Sequence, residues 1–144
     1  MADLTLTITE AVTLNGTAHG ATNTQTITGV TRVLHRIIGV KTSGYSDMAQ
    51  FGAINSGVET MASQVKHFRI TNLDETNFIT LRIREESVQE YFVKIEAGDS
   101  FILGNADADA NDEGTGAAVS FTDIDKIEAL ADTAACDVEI FIAS

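Results

Sequence analysis

Proline and tryptophan are absent from the 144 residues, and cysteine occurs once, as Cys136. A lone cysteine excludes an internal disulfide framework and suits synthesis in a reducing cytosol. Without proline, the turns fall to Gly, Asn and Asp, which reach positive φ or close a turn through a short polar side chain. No apolar run approaches the roughly 20 residues that span a bilayer. The opening Met1-Ala2-Asp3-Leu4-Thr5 lacks the basic and apolar regions of a signal peptide. The expectation is a protein made in the cytoplasm and kept from Sec-type export.

Catalytic signatures are missing as well. The chain has no G-x-S-x-G, no Walker A, no G-x-G-x-x-G, no C-x-x-C and no H-E-x-x-H. Two Tyr and seven Phe, with no Trp, leave few aromatics to line a sugar cleft. His19, His35, His67 and Cys136 show no ligand or nucleophile spacing, and His35 and His67 sit inside alternating segments, where a sheet-face histidine is the ordinary reading. No catalytic and no cofactor-binding residue is predicted.

Basic residues are scarce, nine Lys/Arg against 21 Asp/Glu for a net charge of −12. Residues 1–72 carry five basic and four acidic groups, whereas residues 73–144 carry four and seventeen. Such a polyanionic half repels phosphate backbones and anionic lipid, which argues against nucleic-acid and membrane partners. The basic groups of the first half (Arg32, Arg36, Lys41, Lys66, Arg69) either dock on a neighbouring copy's acidic half or serve as cross-strand partners within one subunit.

What is abundant is alternation. Leu4, Leu6 and Ile8 alternate with Thr5, Thr7 and Thr9, which predicts a half-buried strand. Asn15-Gly16 is a turn dipeptide, and the Thr-, Gly- and Asn-rich stretch after it reads as a long exposed loop near 15–28. Val30 to Val40 alternates with apolar residues on both faces, which predicts a central strand. A long connection near 43–62 follows.

Val65 to Thr71 and Phe78 to Arg84, joined by Leu73-Asp74-Glu75-Thr76-Asn77, read as a β-hairpin. Tyr91 to Ile95, Ser100 to Leu103 and Asp137 to Ala143 are further strands, and Val119 to Leu130 alternates imperfectly. Eighteen threonines supply β-branched character. The predicted fold is a single all-β domain over 1–144, an antiparallel β-sandwich or jelly roll of about eight strands.

The loop near 104–118 is acidic. Asp107, Asp109 and Asn111 fall at spacing two, as in a calcium loop, but Asp112 stands where an EF-hand has Gly and Ala118 where it has its bidentate Glu. These three are weak metal candidates, and a solvated loop is the plainer reading.

Taken together, Leu4 to Glu10 with Leu14-Asn15-Gly16, Phe68 to Asp74 with Asn77, Phe92 to Leu103, and Asp137 to Ala143 resemble small virion structural proteins of tailed bacteriophages. The resemblance implies an antiparallel sandwich built stoichiometrically into the virion. Within that class, small size, lack of a catalytic constellation and negative charge point to a non-enzymatic outer-capsid decoration or cement protein. Its expected partners are the major capsid protein and copies of itself. The alternatives are a tail or neck component, and a calcium- or carbohydrate-binding β-sandwich module that uses the acidic loop.

Overall fold

A computed structural model describes residues 1–51, 60–61, 65–84, 90–103, 109–110 and 122–144. The described elements are β1 (Ala2–Leu14), β2 (Thr17–Val30), β3 (Val33–Val40), β4 (Ser46–Phe51), β5 (Thr60–Met61), β6 (His67–Asn72), β7 (Ile79–Arg84), β8 (Glu90–Ile95), β9 (Ser100–Leu103), β10 (Asp109–Ala110), β11 (Thr122–Asp123), β12 (Lys126–Ala131) and β13 (Cys136–Ala143). No helix occurs among the described residues, as the all-β reading requires.

Two sheets share one core. The four-stranded sheet has the order β3-β13-β6-β9 and the five-stranded sheet the order β5-β4-β12-β7-β8. All pairings are antiparallel except that of β4 with the two-residue β5. With β5 set aside, the eight remaining strands of the two sheets interleave as a jelly roll, in which the chain passes repeatedly from one sheet to the other. The inward sets are those that period 2 selects. Val138, Ile140 and Ile142 of β13 and Phe68 and Ile70 of β6 share one core with Ile79, Leu81 and Ile83 of β7, Met48 of β4 and Ile127 of β12, all buried.

Two strand expectations are corrected. β6 and β7 form no hairpin, because they belong to different sheets. The Leu73–Asn77 segment is a corner: buried Asn72 donates from Nδ2 to the carbonyls of Asn77 (2.8 Å) and Glu96 (3.2 Å), and Asp74 Oδ1 accepts from the backbone N–H of Thr76 (2.8 Å) and Asn77 (2.6 Å). These bonds hold the chain end over one edge of the sandwich, so β7 pairs with β8 instead. Likewise β3 is an edge strand, not a central one. Its two apolar faces have different fates: Leu34 and Ile38 pack on the core, while Val33 and Ile37 are exposed.

The loop expected near 15–28 is also corrected. Thr17–Val30 is a strand, paired with β1 in an unbroken register from Leu4↔Ile27 to Leu14↔Thr17. Threonine has the β-branched side chain that suits a strand, and polarity alone misreads it. Exposure of Thr17 to Asn23 is as expected. The connection near 43–62 contains β4, and its residues 52–59 and 62 lie outside those described.

Candidate interaction surface

The β1–β2 ribbon is an arm. Asn15 (φ 50°) and Gly16 (φ 79°) close its tip as a two-residue turn, a conformation with positive φ at both positions that Asn-Gly tolerates. One face is a threonine ladder in which Thr7 opposes Thr24 and Thr9 opposes Thr22. The other carries Leu4, Leu6, Ile8, Val12 and Leu14 along β1, with Glu10 between Ile8 and Val12. The expected half-burial holds at Leu4 and Leu6 and ends at Ile8, which is 46 % exposed, and farther out Val12 and Leu14 are 59 and 61 % exposed. Among the described residues no second sheet covers them.

At its base the arm is tied down. The register shifts between Ala2 and Leu4, and Gly29 lies at φ 71°. That kink is a bulge, and a positive-φ backbone there favours glycine. It is capped by Lys66, whose Nζ donates to the carbonyl oxygens of Thr28 (2.8 Å) and Gly29 (3.0 Å). Ile27 and Val30 are buried against Ala143, with Leu4 and Phe141 packed beside them. Thr31 and Arg32 then donate their N–H groups to the Ser144 carbonyl at 2.7 and 3.0 Å. The arm therefore leaves the body from a fixed seat.

That seat is on the outer face of the four-stranded sheet. Register places Val33, His35 and Ile37 of β3 on this face, beside Ala143, Phe141 and Glu139 of β13, then His67, Arg69 and Thr71 of β6 and Ile102 of β9. Glu139 is its polar hub, 2.5 Å from His35 Nε2 and 3.1 Å from Arg69 Nη1. Hydrogen bonds from Arg69 and His35 hold the Glu139 carboxyl below the ordinary carboxylate range. Thr71 extends the network to Ser100 at 2.7 Å. His67 is buried edge-on to Phe141, and burial, with Arg69 nearby, lowers its pKa. Val33, Ile37 and Ile102 remain exposed around this network.

The outer face of the five-stranded sheet is different in character. Glu128 is buried there among Arg82 (2.5 Å), Lys126 (2.9 Å) and Arg84 (3.4 Å), and Asp47 joins through Lys126 at 2.7 Å. Burial alone would raise the Glu128 carboxyl; hydrogen bonds from Lys126 and Arg82 outweigh it and hold the carboxyl low. The guanidinium of Arg82 also covers the Tyr45 ring at 3.9 Å. This is a cross-strand charge lattice with its members already partnered, so it offers little to a ligand.

The residues weighed for chemistry do not converge. His19 is near the arm tip opposite Val12. His35 and His67 flank Phe141 with ring centroids 5.8 and 5.9 Å away. Cys136 is buried at the other end of β13, its Sγ near the carbonyl of Ala134, and burial pushes the thiol pKa up. Among the described residues no group of three His, Cys, Asp or Glu side chains is placed to hold a metal ion. Asp107 and Asn111 lie outside the described residues; Asp109 pairs with Asp123 through the backbone. Of the basic residues, Arg69 is a cross-strand partner within the subunit, and Lys66 caps the arm.

Sequence reasoning missed the arm, although its signal was present: alternation on both sides of Asn15-Gly16, which marks a hairpin when threonine is read as a strand residue. No family model matches the chain, and neither a curated protein nor a solved structure matches it.

Proposed function

We propose that this protein is a non-enzymatic structural part of an assembly, and within that class an outer-capsid decoration or cement protein of a phage virion. The observation that carries the reading is the exposed arm. An isolated two-stranded ribbon is marginal in water, and the exposed apolar side chains on this one, Ile8, Val12 and Leu14, are uncovered among the described residues and would gain burial under a partner. Jelly rolls recur in virion shells and also in lectins and cupins, so the fold supports the class by analogy alone. The acidic charge suits a surface turned away from packaged nucleic acid. Many copies bridging joints between shell subunits sum weak contacts into a strong restraint.

The test is cryo-electron microscopy of virions from the source that makes this chain, with copy number by quantitative mass spectrometry. Density for the sandwich on the outer shell, at hundreds of copies per particle, is expected. Copies in the tens, located at the tail or neck, would move the protein to that second role, and absence from the particles would sink both.

A further inference from the structure

His67 is buried in the seat of the arm, 3 % exposed, and its ring Nδ1 has no hydrogen-bond partner among the described residues. Buried polar atoms are nearly always satisfied, so this one asks for a reason. Its neighbours are the residues that the arm root covers. Register sets His67 beside Ala143 on the outer face of the four-stranded sheet, and its ring meets Phe141 edge-on at 5.9 Å. Ala143 is buried with Ile27 and Val30 of the arm, and Phe141 packs beside them. Lys66, the preceding residue, holds the arm by the carbonyls of Thr28 and Gly29, while its own N–H donates to the Ala143 carbonyl at 2.8 Å.

Among the described residues no carboxylate pairs with this ring. The near charge on its own strand is Arg69, a cation. Glu139 of β13 is already engaged by Arg69 and by His35 of β3, whose ring flanks Phe141 as well. Ser100 and Ile102 of β9, on this face, carry no charge. The arm side brings Lys66, Asp3 at the bulge and Arg32 just past the root, the last two exposed. A neutral ring with its proton on Nε2 leaves only an unused lone pair at Nδ1. An imidazolium adds there a buried N–H without an acceptor, near a guanidinium, and both changes are unfavourable.

We propose that His67 is an acid-operated release for the arm: protonation of its ring in mildly acidic solution unseats the β1–β2 ribbon from the four-stranded sheet and leaves the sandwich folded. The selectivity follows from what holds each part. β6 is an inner strand, laddered to β13 on one side and to β9 on the other. The arm is held at its root, by the Lys66 cap, the Ile27-Val30-Ala143 contact and the N–H groups of Thr31 and Arg32 on Ser144. Lifting that root is the least costly way to bring water to a charged ring.

Linkage fixes the direction. Burial and Arg69 lower the His67 pKa, so its contribution is complete above the ordinary 6.5 and is lost as pH falls through the folded-state value. The carboxyls of Asp74, Glu128 and Glu139 are held low and stay ionised when that loss begins. The arm's direction thus becomes a function of pH, fixed near neutrality and free in mild acid.

Amide exchange of the full chain, read by nuclear magnetic resonance at about pH 7.5 and about pH 5 and corrected for the intrinsic pH dependence of exchange, tests this across the range in which histidine titrates. Protection at Leu4 and Ile27 is expected to fall about tenfold at the lower pH, the scale set by one buried N–H without an acceptor. Protection at Ile140, in the core, should hold. The His67 ring, followed through its carbon-bound protons, should titrate together with the root amides. In His67→Gln and His67→Phe, neither of which takes up a proton, root protection should be the same at both pH values, and in His35→Gln the fall should remain. Equal root protection in the native chain would overturn the release. So would a fall that persists in a folded His67 variant, one that vanishes in His35→Gln, one shared by Ile140, or a ring that titrates apart from the root.

Discussion

Arg82 and Glu128 face each other across adjacent strands of the five-stranded sheet, with Nη2 2.5 Å and Nε 2.8 Å from the same carboxylate oxygen. The register that pairs them also brings Arg84 and Lys126 to within 3.4 and 2.9 Å of that carboxylate. One buried acid thus answers three cations, and the cost of burying it is offset only while the whole set is in place.

Replacing Glu128 by Gln is therefore expected to destabilise the fold by about 3 kcal/mol, because the cations lose their common counter-charge. A fall in Tm of roughly 10 °C should appear in differential scanning calorimetry, at the scale that a chain of this size gives. An unchanged Tm would show that solvent already screens the lattice.

Asn72 carries the corner between the two sheets, and its amide serves carbonyls from two other segments. Asn72→Ala removes the amide donor from the Asn77 carbonyl and the acceptor of the Asp74 N–H, while Glu96 keeps the Asp99 N–H, for an expected loss of about 2 kcal/mol. The urea midpoint should fall with no change in slope.

Asp74 stabilises the same corner as an anion. Backbone N–H groups of Asn77 and Thr76 lower its pKa from 3.8 to about 2. A carboxyl depressed in the folded state contributes stability that is complete above its unfolded pKa and is lost as pH falls through its folded pKa. For Asp74 that loss runs from just above 3.8 down to about 2, and the depressed carboxyls of Glu128 and Glu139 act in the same direction. Stability measured by urea unfolding should therefore decline on acidification below about pH 5. Asp74→Asn keeps an acceptor for the turn and should flatten the Asp74 part of that decline.

Lys66 fastens the arm without belonging to it. Lys66→Met should leave Tm of the sandwich nearly unchanged, since the bonds lost serve only the root. Backbone amide exchange at Leu4 and Ile27 should become about tenfold faster, the equivalent of roughly 1.4 kcal/mol for a charge-assisted pair. Equal protection in both proteins would show that the Ile27-Val30-Ala143 contacts hold the arm by themselves.

Strand identity was legible wherever alternation was clean. Val138, Ile140 and Ile142 were assigned to one face of the last strand, and all three are fully buried. The same period in Leu4, Leu6 and Ile8 marked a strand correctly, with Leu4 and Leu6 half-buried as expected, but it did not show that the cover ends at Ile8, since alternation reports that one face is apolar and is silent on what lies against it. The 17–28 stretch failed for a related reason: threonine suits a polar loop and a two-sided exposed ribbon equally well until its partner strand is known.

By itself the sequence determined an all-β chain with inward-facing aliphatic sets, turns without proline, an uneven negative charge and no spaced catalytic motif, because each of these is local or compositional. Only the tertiary structure decided that neighbouring strands 67–72 and 79–84 part into different sheets, that 33–40 lies at an edge, and that the first thirty residues project as an arm. Those are matters of which distant segments meet, and side-chain periodicity carries no information about the partner across the sheet or across the core.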